Sequence, residues 1–242
     1  YGGVKGARDA ILALRSLRDM LAGNSTKSVV VTVKWDGAPA VFAGKDPGDG
    51  QFFVAKKGVF NATPKVYKSH ADIDADTSGD LSDKLKAAFD ALKSANIKDV
   101  IQGDIMFVKS DLKKDKIDGQ EYITFHPNTI VYAVPTGTPM AKEISKANIG
   151  IVWHTTYKGK TFEEMKASYS VDMKQLNGAK GMWAQDATLR DLSGTVTLTK
   201  KDTEEVTKAL SVAGTIFRKI ASSTLRQIEQ NQDIAKIIET HK

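Results

Sequence analysis

A lysine, an aspartate and a glycine are spaced as K-x-D-G near the start of the chain, at Lys34, Asp36 and Gly37. A lysine ammonium is a compact positive charge that suits phosphate, and the amine becomes a nucleophile when desolvation or cationic neighbours favour its neutral form. Glycine allows the backbone to turn tightly beside a ligand. The string is weak evidence by itself, so its meaning depends on the elements that hold it.

The string lies between two predicted strands. Residues 28–33 (SVVVTV) form a β-branched run that is typical of a short buried strand, and residues 40–44 resume the apolar pattern after the string. A further strand is predicted at 51–56, after a turn rich in Pro, Gly and Asp. We therefore predict an antiparallel meander that carries Lys34 at a strand end.

Two buried strands further along the chain carry polar or aromatic residues. Residues 100–108 (VIQGDIMFV) contain Asp104, and residues 149–157 (IGIVWHTTY) contain Trp153 followed by His154. Each of these residues could serve a site or simply satisfy a strand, since buried tryptophans and lone histidines are usually structural.

The remaining segments predict an α+β fold with helices around antiparallel sheets. We expect a single domain, with an N-terminal helix within 1–24, a core over 28–200 and a helical tail over 202–242. Helical spacing predicts helices at 7–22, 81–95, 139–147, 162–168 and 202–241. The stretch 70–83 is acidic and turn-rich, and 109–120 is predicted to be a charged loop. Strands are predicted as two pieces within 122–134 and as a last strand at 195–199.

Composition excludes several classes of protein and permits others. No run approaches 18 apolar residues, so no transmembrane helix is expected, and the absence of cysteine excludes disulfides, thiolate zinc sites and cysteine nucleophiles. Four histidines argue against a polyhistidine metal site. The net charge of +6 permits a polyanionic partner such as nucleic acid without requiring one.

The segment VTVKWDGAPAVFAG, residues 31–44, resembles motif I of the covalent nucleotidyltransferases. This family comprises the ATP- or NAD-dependent DNA ligases, the RNA ligases and the mRNA-capping guanylyltransferases. The resemblance implies that Lys34 attacks the nucleotide α-phosphate and forms a lysyl-nucleotide phosphoramidate. It also implies that Asp36 orients the loop or the nucleotide, and that Gly37 lets the backbone turn near the ligand.

Later segments are similar to further motifs of this family, in the same order. Lys57 stands where ligases have a basic residue, so contacts with phosphate or ribose are implied. Asp104 resembles the acidic residue that contacts the ribose or holds the metal. Trp153 resembles an aromatic residue that stacks on the base. Lys200 and Lys201 stand near the place of the last pair of lysines, with a different spacing.

The chain departs from the family pattern at motif IV, which should read Glu-Gly before a strand. The nearest segment, Ser193-Gly194, lacks the carboxylate, and Asp186 or Asp191 could supply it. This puts a second metal contact in doubt. The resemblance over residues 28–200 therefore indicates a divergent member, of a kind that phage genomes carry.

The resemblance implies a ligase-like enzyme with antiparallel sheets around a nucleotide cleft. From ATP and Mg²⁺ it would form lysyl-AMP at Lys34 and pass the adenylyl group to a 5′-phosphate of DNA or RNA. Mg²⁺ suits a site of oxygen ligands bridged by phosphates. We expect a cytoplasmic protein, and for a phage-encoded member this would be the cytoplasm of an infected bacterial host.

Three alternatives stay open. A guanylyltransferase or a protein-modifying nucleotidyltransferase would use the same lysine. A non-catalytic descendant would bind nucleotide or nucleic acid, or serve as a viral structural protein, and the missing motif IV acid favours this alternative. In an ordinary binding module, Lys34 would be a surface lysine at a hairpin. Separately, His126 and His154 could act as acid–base groups, although lone histidines are usually structural.

Overall fold

A computed structural model of the chain describes residues 3–23, 33–188 and 198–240, the last nine of these by backbone alone. The chain, for which the sequence predicts one domain, divides into two compact units. The helical unit comprises Tyr1–Val31 and Arg190–Lys242, and the sheet unit comprises Thr32–Leu189.

The residues that the structure describes form six α-helices and nine strands. The helices are α1 (Gly3–Leu21), α2 (His70–Asp76), α3 (Gly79–Leu92), α4 (Pro139–Lys146), α5 (Lys200–Lys219) and α6 (Ser222–Thr240). The strands are β1 (Ala40–Lys45), β2 (Phe52–Ala55), β3 (Val100–Val108), β4 (Lys113–Ile117), β5 (Gln120–Phe125), β6 (Tyr132–Pro135), β7 (Ile149–Lys158), β8 (Lys166–Ser168) and β9 (Met182–Asp186).

The sheet unit contains two sheets, and its architecture confirms the predicted α+β class with antiparallel sheets. The larger sheet has the order β2-β1-β3-β7-β8, and β9 pairs with the first half of β7. The smaller sheet has the order β4-β5-β6 and is antiparallel throughout. The pairing of β9 with β7 is parallel, which the sequence did not predict.

One face of the larger sheet is covered by α2 and α3. Leu85 and Leu92 of α3 belong to the same buried cluster as Ile101, Ile105 and Trp153 of the sheet. These leucines repeat at helical spacing, which explains the predicted amphipathic helix. We call this side of the larger sheet the packed face.

The opposite face carries two smaller clusters at its two ends. On β3, Val100 belongs to one cluster and Met106 to the other. Gln102 and Asp104 lie between them on the same side of the strand, because alternate residues of a strand share a face. We call this side the open face.

The hairpin of β4 and β5 corrects the prediction of a charged loop over 109–120. Asp118 (φ 50°) and Gly119 (φ 84°) form its two-residue turn, and Asp-Gly suits such a turn because both central residues have positive φ. Every residue of β4 is exposed. Since neither side of this strand is buried, its lysine-rich sequence lacks the alternation of apolar and polar residues that would have predicted a strand.

Two other predictions of local structure are wrong. The helix predicted at 162–168 is a turn followed by the short edge strand β8. The turn-rich stretch from residue 70 begins instead with α2, because the Ser69 side chain caps the helix by accepting a hydrogen bond from Asp72 N at 3.2 Å. The predicted strands at 28–33 and 195–199 lie largely outside the described residues.

The helical unit confirms both helical predictions, with the tail divided into α5 and α6. Helix α1 packs against α5, where Arg18 Nη1 donates to Thr207 Oγ1 at 3.1 Å and the Arg8 guanidinium lies 5.8 Å from the centre of the Phe217 ring. Among the helices that the structure describes, none has the length and apolar character needed to span a membrane.

Candidate functional site

A cavity of about 940 Å³ lies on the sheet unit and brings together most of the predicted site residues. Its walls come from the segment before β1, the turn after β2, and side chains of β3 and β7. The lining residues include Val33, Lys34, Trp35, Gly37, Ala38, Pro39, Ala40, Lys56, Lys57, Gly58, Gln102, Asp104, Val152, His154, Tyr169 and Ala187.

Lys34 lies in the segment without regular secondary structure that leads into β1. Its neighbour Val33 donates a backbone hydrogen bond to Ala187 O at 2.7 Å, which fixes this segment beside β9. The Lys34 side chain is exposed and lines the cavity. Within the described residues, no carboxylate pairs with Lys34 and no hydrogen bond holds its ammonium, so this charge is available to an anionic ligand.

Asp36 fastens the Lys34 segment to the loop between β5 and β6. Its carboxylate accepts hydrogen bonds from Asn128 Nδ2 (2.9 Å), Thr129 N (2.7 Å), Thr129 Oγ1 (2.5 Å) and Ile130 N (3.0 Å). Hydrogen bonds from the Thr129 side chain and backbone, and then from Asn128, hold the pKa of this carboxyl well below its usual range. Asp36 is not among the lining residues, so this geometry favours the first of its two predicted roles, orientation of the loop.

Gly37 is explained by a close approach to β3. A Cβ atom at this position would lie 2.6 Å from Asp104 Cβ and 2.9 Å from Met106 Sδ. The backbone beyond it runs against the same strand, since Ala38 N donates to Ile105 O at 2.9 Å. The glycine therefore lets the Lys34 segment lie directly on β3, which differs from the tight turn that the sequence predicts.

Two adjacent lysines line the cavity after β2. Lys57 is exposed, as expected of a residue that could contact phosphate. Lys56 also lines the cavity and pairs with Asp76 at 2.9 Å. The resemblance pointed to Lys57 alone, although Lys56 is adjacent to it in the sequence.

Asp104 and His154 face each other across β3 and β7. His154 Nε2 lies 3.7 Å from Asp104 Oδ2, and about a quarter of each side chain is exposed. The other ring nitrogen of His154, Nδ1, is hydrogen-bonded to Thr155 Oγ1 at 2.7 Å. This pair forms a polar part of the open face next to Gln102.

The metal role predicted for Asp104 depends on a single carboxylate. Across the part of the chain that the structure describes, no three His, Cys, Asp or Glu side chains cluster in a way that could hold a metal ion. Mg²⁺ bound with a nucleotide needs only one or two protein carboxylates, because phosphates and waters supply its other ligands. The donor set at Asp104 fits such a shared ion and does not fit an ion held by the protein alone.

Trp153 lies in the core. Its side chain is fully buried on the packed face, and the residue does not line the cavity, whereas its neighbours Val152 and His154 do. This placement argues against the predicted stacking on a base. Two other aromatic residues, which no sequence motif indicated, line the cavity instead: Trp35, whose ring stacks on Tyr132, and the highly exposed Tyr169.

Lys200 is the exposed first residue of α5 in the helical unit. Thr199 before it caps the helix, since its hydroxyl accepts a hydrogen bond from Asp202 N at 3.2 Å, so Lys200 does not occupy a strand. The other candidates lie elsewhere: His126 is exposed after β5, Asp186 ends β9, and Asp191 lies outside the described residues.

Comparison with known proteins gives a family and no function. The whole chain, residues 1–242, matches the model of a family of unknown function (DUF6267), and the chain belongs to that family. No curated protein and no solved structure matches it. The chemistry of the cavity must therefore be interpreted from its own residues.

Proposed function

We propose that this protein is a ligase-like nucleotidyltransferase that forms lysyl-AMP at Lys34 from ATP and passes the adenylyl group to a nucleic-acid 5′-phosphate. The observation that carries the proposal is the placement of Lys34. It has no carboxylate partner among the described residues, and it lines the same cavity as Lys56, Lys57 and Asp104. The cavity volume lies within the range of about 300–1,000 Å³ that is common for small-molecule sites.

The charges around the cavity support a phosphorylated ligand. Three lysines line it, and Asp104 is the one carboxylate among its lining residues in the described part of the chain. Lysines suit the phosphates of a nucleotide as point charges. Val152, Trp35 and Tyr169 add apolar and aromatic surface that suits a base.

The first half-reaction places specific demands on Lys34. Its ammonium must lose a proton to water before the Nζ lone pair can attack the α-phosphorus of ATP. A P–N bond then forms, the bond from the α-phosphorus to the bridging oxygen breaks, and pyrophosphate leaves with the electron pair. In the second half-reaction a 5′-phosphate oxygen attacks the same phosphorus, and the P–N electron pair returns to Lys34 with a proton.

The other residues of the cavity position the reactants. Lys56 and Lys57 would hold the phosphates that leave, while Asp36 and Gly37 hold the Lys34 segment against β3 and the β5–β6 loop. Asp104 would share a Mg²⁺ ion with the nucleotide, and that ion would neutralise phosphate charge. Catalysis would rest on positioning and charge neutralisation.

Intact-protein mass spectrometry tests the proposal. The wild-type protein is incubated with Mg²⁺ and ATP, GTP or NAD, beside Lys34→Ala and the matched control Lys45→Ala, which changes an exposed lysine of β1 outside the cavity. We expect the mass of one AMP on the wild type and on Lys45→Ala, and none on Lys34→Ala. A GMP adduct on Lys34 would instead indicate a guanylyltransferase.

The enzymatic proposal would be contradicted if the wild-type protein is folded, carries no bound nucleotide at the start, and forms no adduct with any of the three nucleotides. The second candidate, a non-catalytic protein that binds nucleotide or nucleic acid, would then be favoured. The observation on its side is that Asp104 stands without a second carboxylate among the cavity residues described. Binding of ATP without an adduct, measured by calorimetry, would support this candidate.

A further inference from the structure

Asp76, the last residue of α2, holds three side chains with one carboxylate. Its Oδ1 accepts a hydrogen bond from Lys65 Nζ at 2.7 Å, and its Oδ2 accepts one from the Tyr67 hydroxyl at 2.7 Å. The same Oδ2 lies 2.9 Å from Lys56 Nζ. Of these three partners, only Lys56 lines the cavity.

The position of Asp76 is unfavourable for the helix alone. A carboxylate at the C-terminal end of a helix lies near the negative end of the helix dipole. The two lysines offset this cost, and they hold the pKa of Asp76 below its usual range together with Tyr67. The cluster is thus stabilised by tertiary contacts rather than by α2.

Tyr67 anchors the cluster to the sheet. Its side chain is buried, and its backbone exchanges two hydrogen bonds with Val54 of β2, at 2.8 and 3.0 Å. Lys56 follows β2 by one residue. Asp76 Oδ2, the oxygen that contacts Lys56, is therefore held in a fixed position relative to β2, the strand that Lys56 directly follows.

We propose that Asp76 is a positioning residue that holds the Lys56 ammonium on the cavity wall to receive the polyphosphate of the ligand, with Tyr67 fixing the carboxylate. A lysine held in place before the ligand arrives loses less conformational freedom on binding. The inference rests on the proposed function for the nature of the ligand. Phosphate binding by this cluster can be measured without any nucleotide.

Calorimetric titration with inorganic tripolyphosphate tests the inference. We expect Lys56→Met to weaken binding about tenfold, by loss of a charge-assisted contact. Asp76→Asn removes a negative charge, which by itself would strengthen binding of an anion. We nevertheless expect it to weaken binding about threefold to fivefold, because Lys56 loses its position. Lys45→Met is the matched control, since it removes an exposed lysine of β1 that lies outside both the cluster and the cavity, and it should leave binding unchanged.

The double variant separates positioning from a general structural effect. In the Lys56→Met background, Asp76→Asn should have no further effect on tripolyphosphate binding, because its contribution acts through Lys56. Tyr67→Phe keeps the buried ring and should give a smaller loss than Asp76→Asn. Circular dichroism confirms that each variant is folded.

Several outcomes would overturn the inference. The first is a wild-type protein that does not bind tripolyphosphate, and the second is an Asp76→Asn variant that binds it as tightly as the wild type or more tightly. The third is an Asp76→Asn substitution that weakens tripolyphosphate binding equally whether Lys56 is present or replaced by Met. A wild type that binds tripolyphosphate through Lys56 and Asp76 but forms no nucleotide adduct would contradict the proposed function alone. An adduct that forms without any dependence on Asp76 would contradict this inference alone.

Discussion

The two faces of the larger sheet are built from the same strands and differ in what covers them. On the packed face, Ile105 and Trp153 are fully buried beneath the helices. On the open face, Asp104 and His154 come from the same two strands and remain about a quarter exposed. Neighbouring residues of one strand thus lie in different environments, since one side chain packs in the core and the next lines the cavity.

This difference separates stability from function within a few ångströms. Side chains on the packed face fill a close-packed interior, so their loss leaves a cavity that the surroundings fill only partly. Polar side chains on the open face make few packing contacts, so they can be changed at little cost. The following predictions test that separation, from the largest expected effect to the smallest.

Leu85→Ala should lower the free energy of unfolding by about 2–5 kcal/mol, because Leu85 is fully buried on the packed face. Urea denaturation followed by circular dichroism measures the change. Leu14→Ala in α1 is the matched control and should change stability by about 0.5 kcal/mol or less, because Leu14 is 51% exposed. Equal effects of the two substitutions would show that α3 does not stabilise the packed face.

Gly37→Ala should lower the free energy of unfolding by about 1–3 kcal/mol, because its Cβ would overlap Asp104 Cβ and force the Lys34 segment away from β3. It should also reduce adduct formation at Lys34 more than its effect on stability explains. Gly58→Ala is the control, since the nearest atom to a Cβ there lies 3.6 Å away. Wild-type stability in Gly37→Ala would contradict the close approach.

Asp36→Asn should make the Lys34 segment less stable at neutral pH, and the difference from wild type should shrink in acid. The folded-state pKa of Asp36 is lowered from 3.8, so its stabilising contribution is present above about pH 4 and is lost as the pH falls through the folded-state value. Urea denaturation of both proteins between pH 2 and pH 7 measures this difference. If the difference in the free energy of unfolding between the two proteins stays constant over the whole pH range, the stabilising role of the Asp36 hydrogen bonds is contradicted.

Asp104→Asn should change the free energy of unfolding by about 0.5 kcal/mol or less, because the side chain lies on the open face and its contact with His154 spans 3.7 Å. Adduct formation with Mg²⁺ and ATP should nevertheless fall about tenfold or more. Asp118→Asn, in the β4–β5 turn, is the control and should leave the adduct unchanged. A large loss of stability in Asp104→Asn would remove the distinction between the two faces.

Much of the sheet could be predicted from local sequence. The boundaries of β3 and α4 match within a residue, and β1, β2 and β7 match within one or two, because their apolar runs end at Gly, Pro or charged residues. The strand β4 could not be predicted, since an exposed lysine-rich strand has no periodic apolar signal. The short α2 was concealed by acidic residues that also favour turns.

The site was predictable in part through the resemblance to nucleotidyltransferase motifs. That resemblance implied one site for Lys34, Lys57 and Asp104, and all three line the same cavity. The proposed positioning role of Asp76 depends on its contact with Lys56, twenty positions away, for which the sequence has no local signal.

The sequence by itself determined four strands of the larger sheet, β1, β2, β3 and β7, and which lysine precedes β1. Only the tertiary structure decided which side of each strand is buried. In β7 the run Val152-Trp153-His154 has apolar residues on both sides, and because successive side chains point to opposite faces, the packing of α3 selects Trp153 for the core and leaves His154 to the cavity. Likewise, Asp36 and Gly37 acquire their roles from partners 93 and 67 positions away, Thr129 and Asp104, which only the folded chain brings within contact.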